Sequence, residues 1–303
     1  MKIYDYTEGH AIPDKRVIAL GFFDGVHKGH RAIIEEAKKI AAKRGLPTAV
    51  FTFRAENNRL KNDPCIYSTD KKLSLFESLG VDEVILTDFI EVKNVSAESF
   101  ISDILVGDFG CEVAVSGKDF RFGKGAMGNT ELLGSALSKI GSSLVCPEAI
   151  VMDGEKISSS GIKRLLLDGK VKDAGALLGQ PYFICSEVKR GLGKGKGFGF
   201  PTVNTEISDG EISLPAGVYK CRATVGTEKF DAISNVGVCP TVSVRAKHIE
   251  TYILNYSGDL YGEKITVEYL DFIRPEKKFN SQEELIMQIK LDINNNFNSE
   301  ELI

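Results

Sequence analysis

No apolar run in the 303-residue sequence approaches the length of a membrane span, so no membrane partner is expected. The opening residues, Met1-Lys2-Ile3-Tyr4-Asp5-Tyr6, lack the apolar core of a secretion signal. No C-x-x-C pair occurs: Cys65, Cys111, Cys146, Cys185, Cys221 and Cys239 are scattered. That spacing argues against a zinc site or a disulfide framework and suits the reducing cytoplasm. Neither charge sign dominates, and a formal net charge of -4 gives no reason to expect nucleic acid as a partner. There is no internal repeat, and nothing assigns an oligomeric state. What remains is the composition of a globular protein, 43% hydrophobic and 26% charged, long enough for two domains with separate cores.

Histidine is also scarce, yet two of the four lie in one stretch, Gly21 to His30, GFFDGVHKGH. An apolar run, Val17 to Leu20, precedes it and reads as a buried strand. After it, Ile33, Ile34, Ala37, Ile40 and Ala41 fall on one helical stripe, Gly45 ends the helix, and Ala49 to Phe53 is a second strand. The histidines therefore sit where a loop enters a helix, at the end that favours phosphate oxygens, and His27 and His30 can share one face of the first turn. Gly21, Gly25 and Gly29 allow close backbone approach to a ligand. A single histidine in a loop is usually a surface residue; two in a glycine-spaced loop predict a nucleotide-phosphate site. H-x-G-H after a first strand resembles the ATP-binding motif of the nucleotidyltransferase superfamily.

Helices are predicted over Ser68–Leu79, Ser96–Leu105 and Asn129–Ile140, with strands at Val84–Leu86, Glu112–Val115 and Leu144-Val145. That alternation predicts a parallel sheet covered on both faces, with ligands at the carboxyl ends of its strands. A second loop, Ser116 to Gly123, belongs at that edge, where Arg121 can hold a phosphate and its aromatics can border a planar ring. GKGAMGNT, from Gly123 to Thr130, nearly spells a P-loop but has Asn129 where lysine is needed, so that reading fails. Lys156-Ile157-Ser158-Ser159-Ser160 heads a helix, and its hydroxyls suit either phosphate binding or, more commonly, capping.

Ile162 to Leu178 reads as two short helices broken at Asp168-Gly169, and Gly179-Gln180-Pro181 as a boundary. Beyond it the pattern is β: Tyr182–Val188, Val218–Val225, Ile249–Tyr256 and Lys264–Leu270 predict a small antiparallel barrel. A helix from Ser281 to Ile293 closes the chain, with Ser281 and Glu284 as a capping box. Within the barrel region, Lys189 to Asn204, KRGLGKGKGFGFPTVN, is basic and glycine-rich. The acidic chain weighs against a nucleic-acid patch; a loop covering a nucleotide fits better, with Lys194 and Lys196 supplying charge. Thr202 and Asn204 offer oxygens suited to Mg²⁺.

G-F-P-T-x-N after a glycine-rich loop resembles the riboflavin kinase domain. The agreement continues through Leu214–Tyr219, Asn235–Gly237, Pro240-Thr241, Ile249–Leu254, Asp259–Gly262 and Ile273–Phe279. GFFDGVHKGH and GKDFRFG resemble the FMN adenylyltransferase domain joined to that kinase in bacteria, so the chain resembles the bifunctional riboflavin kinase/FAD synthetase family almost throughout. The resemblance implies an α/β Rossmann-like nucleotidyltransferase domain with a parallel sheet over residues 1–180. A small antiparallel β-barrel kinase domain with a C-terminal helix would follow over 181–303. It also implies riboflavin, FMN and ATP as substrates, Mg²⁺ as cofactor, and a cytoplasmic enzyme.

Residue by residue, Glu250 would be the general base for the ribityl hydroxyl; without the resemblance it reads as a strand glutamate facing water. His27 and His30 would be catalytic in adenylyl transfer. Gly21, Phe22, Asp24, Gly25, Lys156, Ser159 and Ser160 would join them around ATP, and Asp119, Arg121 and Phe122 would form the flavin-side loop. In the kinase, Gly191, Lys194, Gly197, Gly199, Pro201, Thr202 and Asn204 would bind ATP or flavin, with Thr202 and Asn204 holding the metal. Two departures lie in the first domain. Ala55-Glu56-Asn57 stands where the family has P-H-P, and Gly161-Ile162-Lys163 where it has arginine-isoleucine-arginine; Lys163 keeps the charge but not the bidentate fork. They keep open a monofunctional kinase with a weakened first domain, beside a flavin-binding regulator and a nucleotidyltransferase for another acceptor.

Overall fold

The computed structural model describes every residue except 7–10, 57–62, 153, 191–198, 239–246 and 298–303. It divides into two compact units, Met1–Ser159 and Ser160–Ile303. The expected division at residue 180 therefore moves toward the N-terminus. The helices on either side of Gly169, α6 (Ser159–Leu167) and α7 (Val171–Leu178), run into the second unit, where α7 packs on the strands Tyr182–Glu187 and Lys264–Arg274. A boundary proline marks a turn but not which core claims the helix before it.

In the first unit, β1 (Lys2–Asp5), β2 (Arg16–Leu20), β3 (Thr48–Phe53), β4 (Glu83–Thr87), β5 (Cys111–Ser116) and β6 (Ser143–Val145) form one parallel sheet. Its order is β1-β4-β3-β2-β5-β6. All residues of β2 and β4 are buried, as befits strands covered on both faces. Helix α1 (Lys28–Arg44) packs on β2, β3 and β5 through a stripe that buries Ile34, Ala37 and Ala41, and it ends at Gly45, whose φ of 66° is left-handed. Alternate strand residues, including Ile18, Leu20, Phe51 and Ala114, join Phe100, Leu105, Leu133 and Leu137 in a core cluster. Helices α2 (Thr69–Ser78), α3 (Phe89–Val92) and α5 (Thr130–Lys139) lie near their expected positions or fill loops between strands.

The expected helix from Ser96 is different. A single turn, α4 (Ala97–Ser99), widens into a π-helix over Phe100–Asp108. Its buried residues, Phe100, Ile101, Ile104 and Leu105, form one stripe, and the Phe109 amide donates to the Ile104 carbonyl five residues back at 3.1 Å, the hydrogen-bond step of that wider winding.

The sheet order matters for function. From β2 the chain runs outward through β3 on one side, then returns to place β5 on the other, so the strand order reverses between β2 and β5. Leu20 and Ser116 are register partners at that reversal, and the loops that follow them open side by side at the carboxyl edge.

After the short hairpin of β7 (Val151–Met152) and β8 (Glu155–Lys156), the second unit builds an antiparallel sheet. It comprises β9 (Tyr182–Glu187), β10 (Thr202–Thr205), β11 (Gly217–Val225), β12 (Glu228–Val238), β13 (Lys247–Ile253) and β14 (Lys264–Arg274), ordered β10-β13-β12-β11-β14-β9. Lys189 and Asn204 form an antiparallel bridge that joins the two edges, the closure expected of a small barrel. The last helix, α8 (Gln282–Asn296), packs Ile289, Ile293 and Phe297 near Phe200, Tyr252 and Leu254. Ser281 accepts from the Glu284 amide as expected, but the Glu284 carboxylate reaches the amide of Asn280 rather than that of Ser281.

Candidate active sites

The loop after β2 is strained and heavily tied down. Phe23 (φ 53°) and Val26 (φ 43°) adopt left-handed backbone that costs energy for any residue with a side chain, most of all for a β-branched one. Gly25 between them takes the same hand, with φ 83°. The buried Asp24 accepts the Ile66 amide at 2.7 Å through its carboxylate and the Ser159 hydroxyl at 2.9 Å through its carbonyl. Asp24 and Ser159 thus lock the loop to the stretch around Lys156, whichever further contacts they make.

His27 is the N-cap of α1: its Nδ1 accepts the His30 amide at 3.3 Å, which leaves its ring proton on Nε2. The two imidazoles stack with centroids 3.5 Å apart and planes 17° from parallel, and Phe23 closes edge-on against His30 at 5.2 Å. Burial, assisted by the charge of Lys156, pulls His27 down to about 4. Burial likewise holds His30 well below the ordinary histidine range, with His27, Lys72 and Lys156 adding to it. Both rings are therefore neutral at pH 7 and keep one N–H each. Nδ1 of His30 is buried with no hydrogen-bond partner among the described residues.

From the neighbouring loop, Asp119 pairs with Lys156 at 2.6 Å, which brings the K-I-S-S-S stretch to the same edge. Ser160, the next residue after Ser159, is exposed and begins the second unit. Arg121 and Phe122 line a cavity of about 550 Å³ together with Gly21, Phe51, Phe53, Phe89, Phe100 and Phe120. Phe120 and Phe122 lie 5.7 Å apart and nearly parallel. Lys93, Arg121 and Lys124 give this otherwise apolar cavity a cationic rim. Gly123, with φ 73°, brings the loop against Ala97, whose backbone would lie 2.9 Å from any Cβ placed there. Asn129, in the rejected P-loop reading, caps α5 by accepting the Leu132 amide at 2.9 Å.

The departing residues have structural work. The Ala55 amide donates to the Thr69 hydroxyl at 2.9 Å, and the Glu56 carboxylate accepts the Thr69 amide at 2.8 Å and its hydroxyl. Glu56 thereby caps α2 from outside it, where Ser68, the N-cap residue, makes no side-chain cap bond.

The second site lies on the barrel. Asn204 of β10 faces Glu250 of β13, which faces Asn235 of β12, so three polar side chains form a row across adjacent strands on one face. Thr202 and its partner Tyr252 stand two residues along, on the same face. Oδ1 of Asn204 is buried and has no partner among the described residues. Thr202, Asn235, Glu250, Tyr252 and Phe200 line a cavity of about 590 Å³, which Arg274, Glu276 and Phe279 border from the end of β14. Asp292 of α8 holds Arg274 at 2.8–2.9 Å. Pro201 and Gly199 (φ 82°) precede β10; Gly191, Lys194 and Gly197, expected at this site, lie outside the described residues.

Of the cavity's phenylalanines, the sequence points to Phe120 and Phe122 in the loop after β5 but not to Phe51, Phe53, Phe89 or Phe100, nor to Lys72 of α2. The only signal of these missed residues is an aromatic at the carboxyl end of β3 and a lysine in a helix marked by its capping residues.

A model of the FAD synthetase family matches residues 10–161, and a riboflavin kinase model matches residues 178–299. The chain is 36% identical to the bifunctional riboflavin kinase/FMN adenylyltransferase of Bacillus subtilis, over 92% of this chain and 90% of that one. It is 33% identical to the Escherichia coli protein of the same description, over 91% and 90%. A crystal structure from Streptococcus pneumoniae, described as a macrolide-efflux protein, superposes with a TM-score of 0.88 at 29% identity, covering 98% of this chain and 99% of that one. Among the described residues, no helix is long and apolar enough to cross a membrane.

Proposed function

The chain belongs to the bifunctional riboflavin kinase/FMN adenylyltransferase family, and from that membership we propose how its two sites make FMN from riboflavin and then FAD from FMN. What carries the reading is that each matched domain has its own assembled site: stacked, neutral histidines at one, and a carboxylate between two asparagines at the other.

In the kinase, the ribityl 5′-hydroxyl gives its proton toward Glu250 as its oxygen attacks the γ-phosphorus of ATP, and ADP leaves. The isoalloxazine takes the cavity beside Glu250 and Tyr252. The buried, partnerless Oδ1 of Asn204 and the Thr202 hydroxyl are hard oxygen donors that fit Mg²⁺. Such an ion neutralises phosphate charge when bound.

At the other site, an FMN phosphate oxygen attacks the α-phosphorus of a second ATP and pyrophosphate leaves. The Nε2–H of His27 and the N–H of His30 point a preorganised polar surface at the phosphates, and positioning does the rest. The aromatic cavity beside Arg121 and Phe122 takes the flavin ring, and its cationic rim takes the FMN phosphate. The wide spacing of the six cysteines along the sequence supports a cytoplasmic location.

A time course with riboflavin, ATP and Mg²⁺ tests the whole: FMN should rise first and FAD follow. If supplied FMN and ATP yield no FAD, the chain is a kinase alone. Thr202→Ala and Asn204→Ala should each lower kcat/KM for Mg-ATP in riboflavin phosphorylation about 10–100-fold, the loss of a charge-assisted contact worth roughly 1.5–3 kcal/mol. FAD formation from FMN should be spared; equal damage to both reactions, or a changed circular dichroism spectrum, would mean the fold was lost instead.

A further inference from the structure

Lys72 of α2 is 1% exposed, although a lysine is rarely buried without a task. Its ammonium donates to the Phe53 carbonyl at 2.8 Å and the Phe22 carbonyl at 3.1 Å, with the Thr52 hydroxyl at 3.3 Å. Thr52 also donates to the Phe22 carbonyl, at 2.9 Å, so two donors converge on one oxygen. The ammonium sits 4.6 Å from the centre of the Phe22 ring. Phe22 opens the strained loop that carries His27 and His30, and Phe53 ends β3 at the aromatic cavity. One buried charge therefore ties together the two chain segments on which the nucleotide and flavin halves of the site stand.

We propose that Lys72 is a positioning residue for adenylyl transfer, holding the Gly21–His30 loop in its strained form through the Phe22 carbonyl. The inference rests on the adenylyltransferase reading above and assigns a role within it. A loop with left-handed Phe23 and Val26 keeps that shape only where its surroundings over-determine it. Lys72 supplies the part of that restraint that is ionic. The titratable groups facing it are the carboxylates of Asp24 in the same loop and Glu56 in the turn after β3, the neutral imidazole of His30 on α1, and the Cys65 thiol. Burial draws Lys72 down to about 8, against the opposing pull of Asp24, Cys65 and Glu56. As pH rises through that value the ammonium loses its proton and with it the charge that holds both carbonyls.

The test uses the full chain and both of its reactions. In wild type, kcat/KM for ATP in FAD formation from FMN should fall along an alkaline limb near pH 8, while FMN formation from riboflavin shows none from this group. Lys72→Arg should remove the limb, because a guanidinium stays charged throughout. Lys72→Met should cut kcat for FAD formation about 10²-fold, the usual cost of misplaced catalytic groups, and change the KM for ATP far less. It should also raise the pKa of His30 by removing one of the charges that depress it. Riboflavin phosphorylation and circular dichroism report folding in each variant. If Lys72→Met does not fold, the wild-type profile decides alone: no alkaline limb between about pH 7 and about pH 9 overturns the proposal. A folded Lys72→Met with wild-type FAD formation also overturns it, leaving the adenylyltransferase reading intact, whereas wild type that makes no FAD overturns both.

Discussion

Glu250→Gln is expected to slow FMN formation from riboflavin by about 10²–10⁴-fold and to leave FAD formation from supplied FMN at the wild-type rate. The substitution keeps the shape of the side chain and its place in the row between Asn204 and Asn235, and removes its charge and its capacity to take a proton. Side-chain volume and strand pairing are kept, so the variant should fold, and the adenylyltransferase reaction of the same molecules serves as an internal control. The kinetic parameter that moves identifies the role. A general base acts in the transition state, so kcat should drop with little change in the KM for Mg-ATP. A rise in that KM at constant kcat would make Glu250 a binding group for the nucleotide. Undiminished turnover would reduce it to the strand glutamate that its sequence position alone suggests.

Where the sequence was legible, a strong local pattern coincided with the tertiary outcome. The unit from β2 through α1 to β3 could be read because both strands are continuous apolar runs, α1 carries a regular stripe, and Gly45 stops it in the left-handed region. Strand β12 carries no sequence signal because Glu228, Lys229, Asp231, Ser234 and Asn235 break up its apolar residues; Asn235 faces a cavity. The short edge strand β1 is mostly exposed and carries no apolar run.

The candidate sites divide in a similar way. Motifs contiguous in the chain, the histidine loop and the Thr202–Asn204 pair, could be found from spacing, whereas groups assembled by the fold could not. The aromatic cavity draws Phe51 and Phe53 from β3, Phe89 from α3, Phe100 from the π-helix and Phe120 from the loop after β5. Those of β3, α3 and the π-helix are ordinary apolar phenylalanines until the sheet order brings them to the edge where Phe120 already lies. Asp24 and Ser159, expected among the ATP ligands, turn one polar atom each to holding the loop, a use that spacing cannot distinguish from ligand binding. Ala55 and Glu56 look like losses in the sequence, but in three dimensions they secure the start of α2, the helix that carries Lys72.

His27→Ala or His30→Ala is expected to lower turnover in FAD formation from FMN by about 10²–10³-fold and to leave riboflavin phosphorylation nearly unchanged. A preorganised donor stabilises charge that shifts as the α-phosphorus is attacked, so the loss belongs in kcat, with a smaller rise in the KM for ATP. The two variants should not be equal in every respect. His27 also caps α1, and its removal should cost about 1 kcal/mol of stability, read as a lower unfolding midpoint, whereas the His30 side chain is not the cap and should cost less through this route. Their depressed pKa values set the pH behaviour. Above about 4 the His27 ring is neutral and its Nε2–H is available, so the donor does not titrate between pH 5 and pH 7. Any acid limb in kcat/KM therefore comes from the substrate phosphates, and wild type and both variants should share it. A wild-type limb near the ordinary histidine value that vanishes in either variant would mean that the working form is the imidazolium. Alanine variants that keep the full wild-type rate of FAD formation would remove the Gly21–His30 loop from the chemistry altogether.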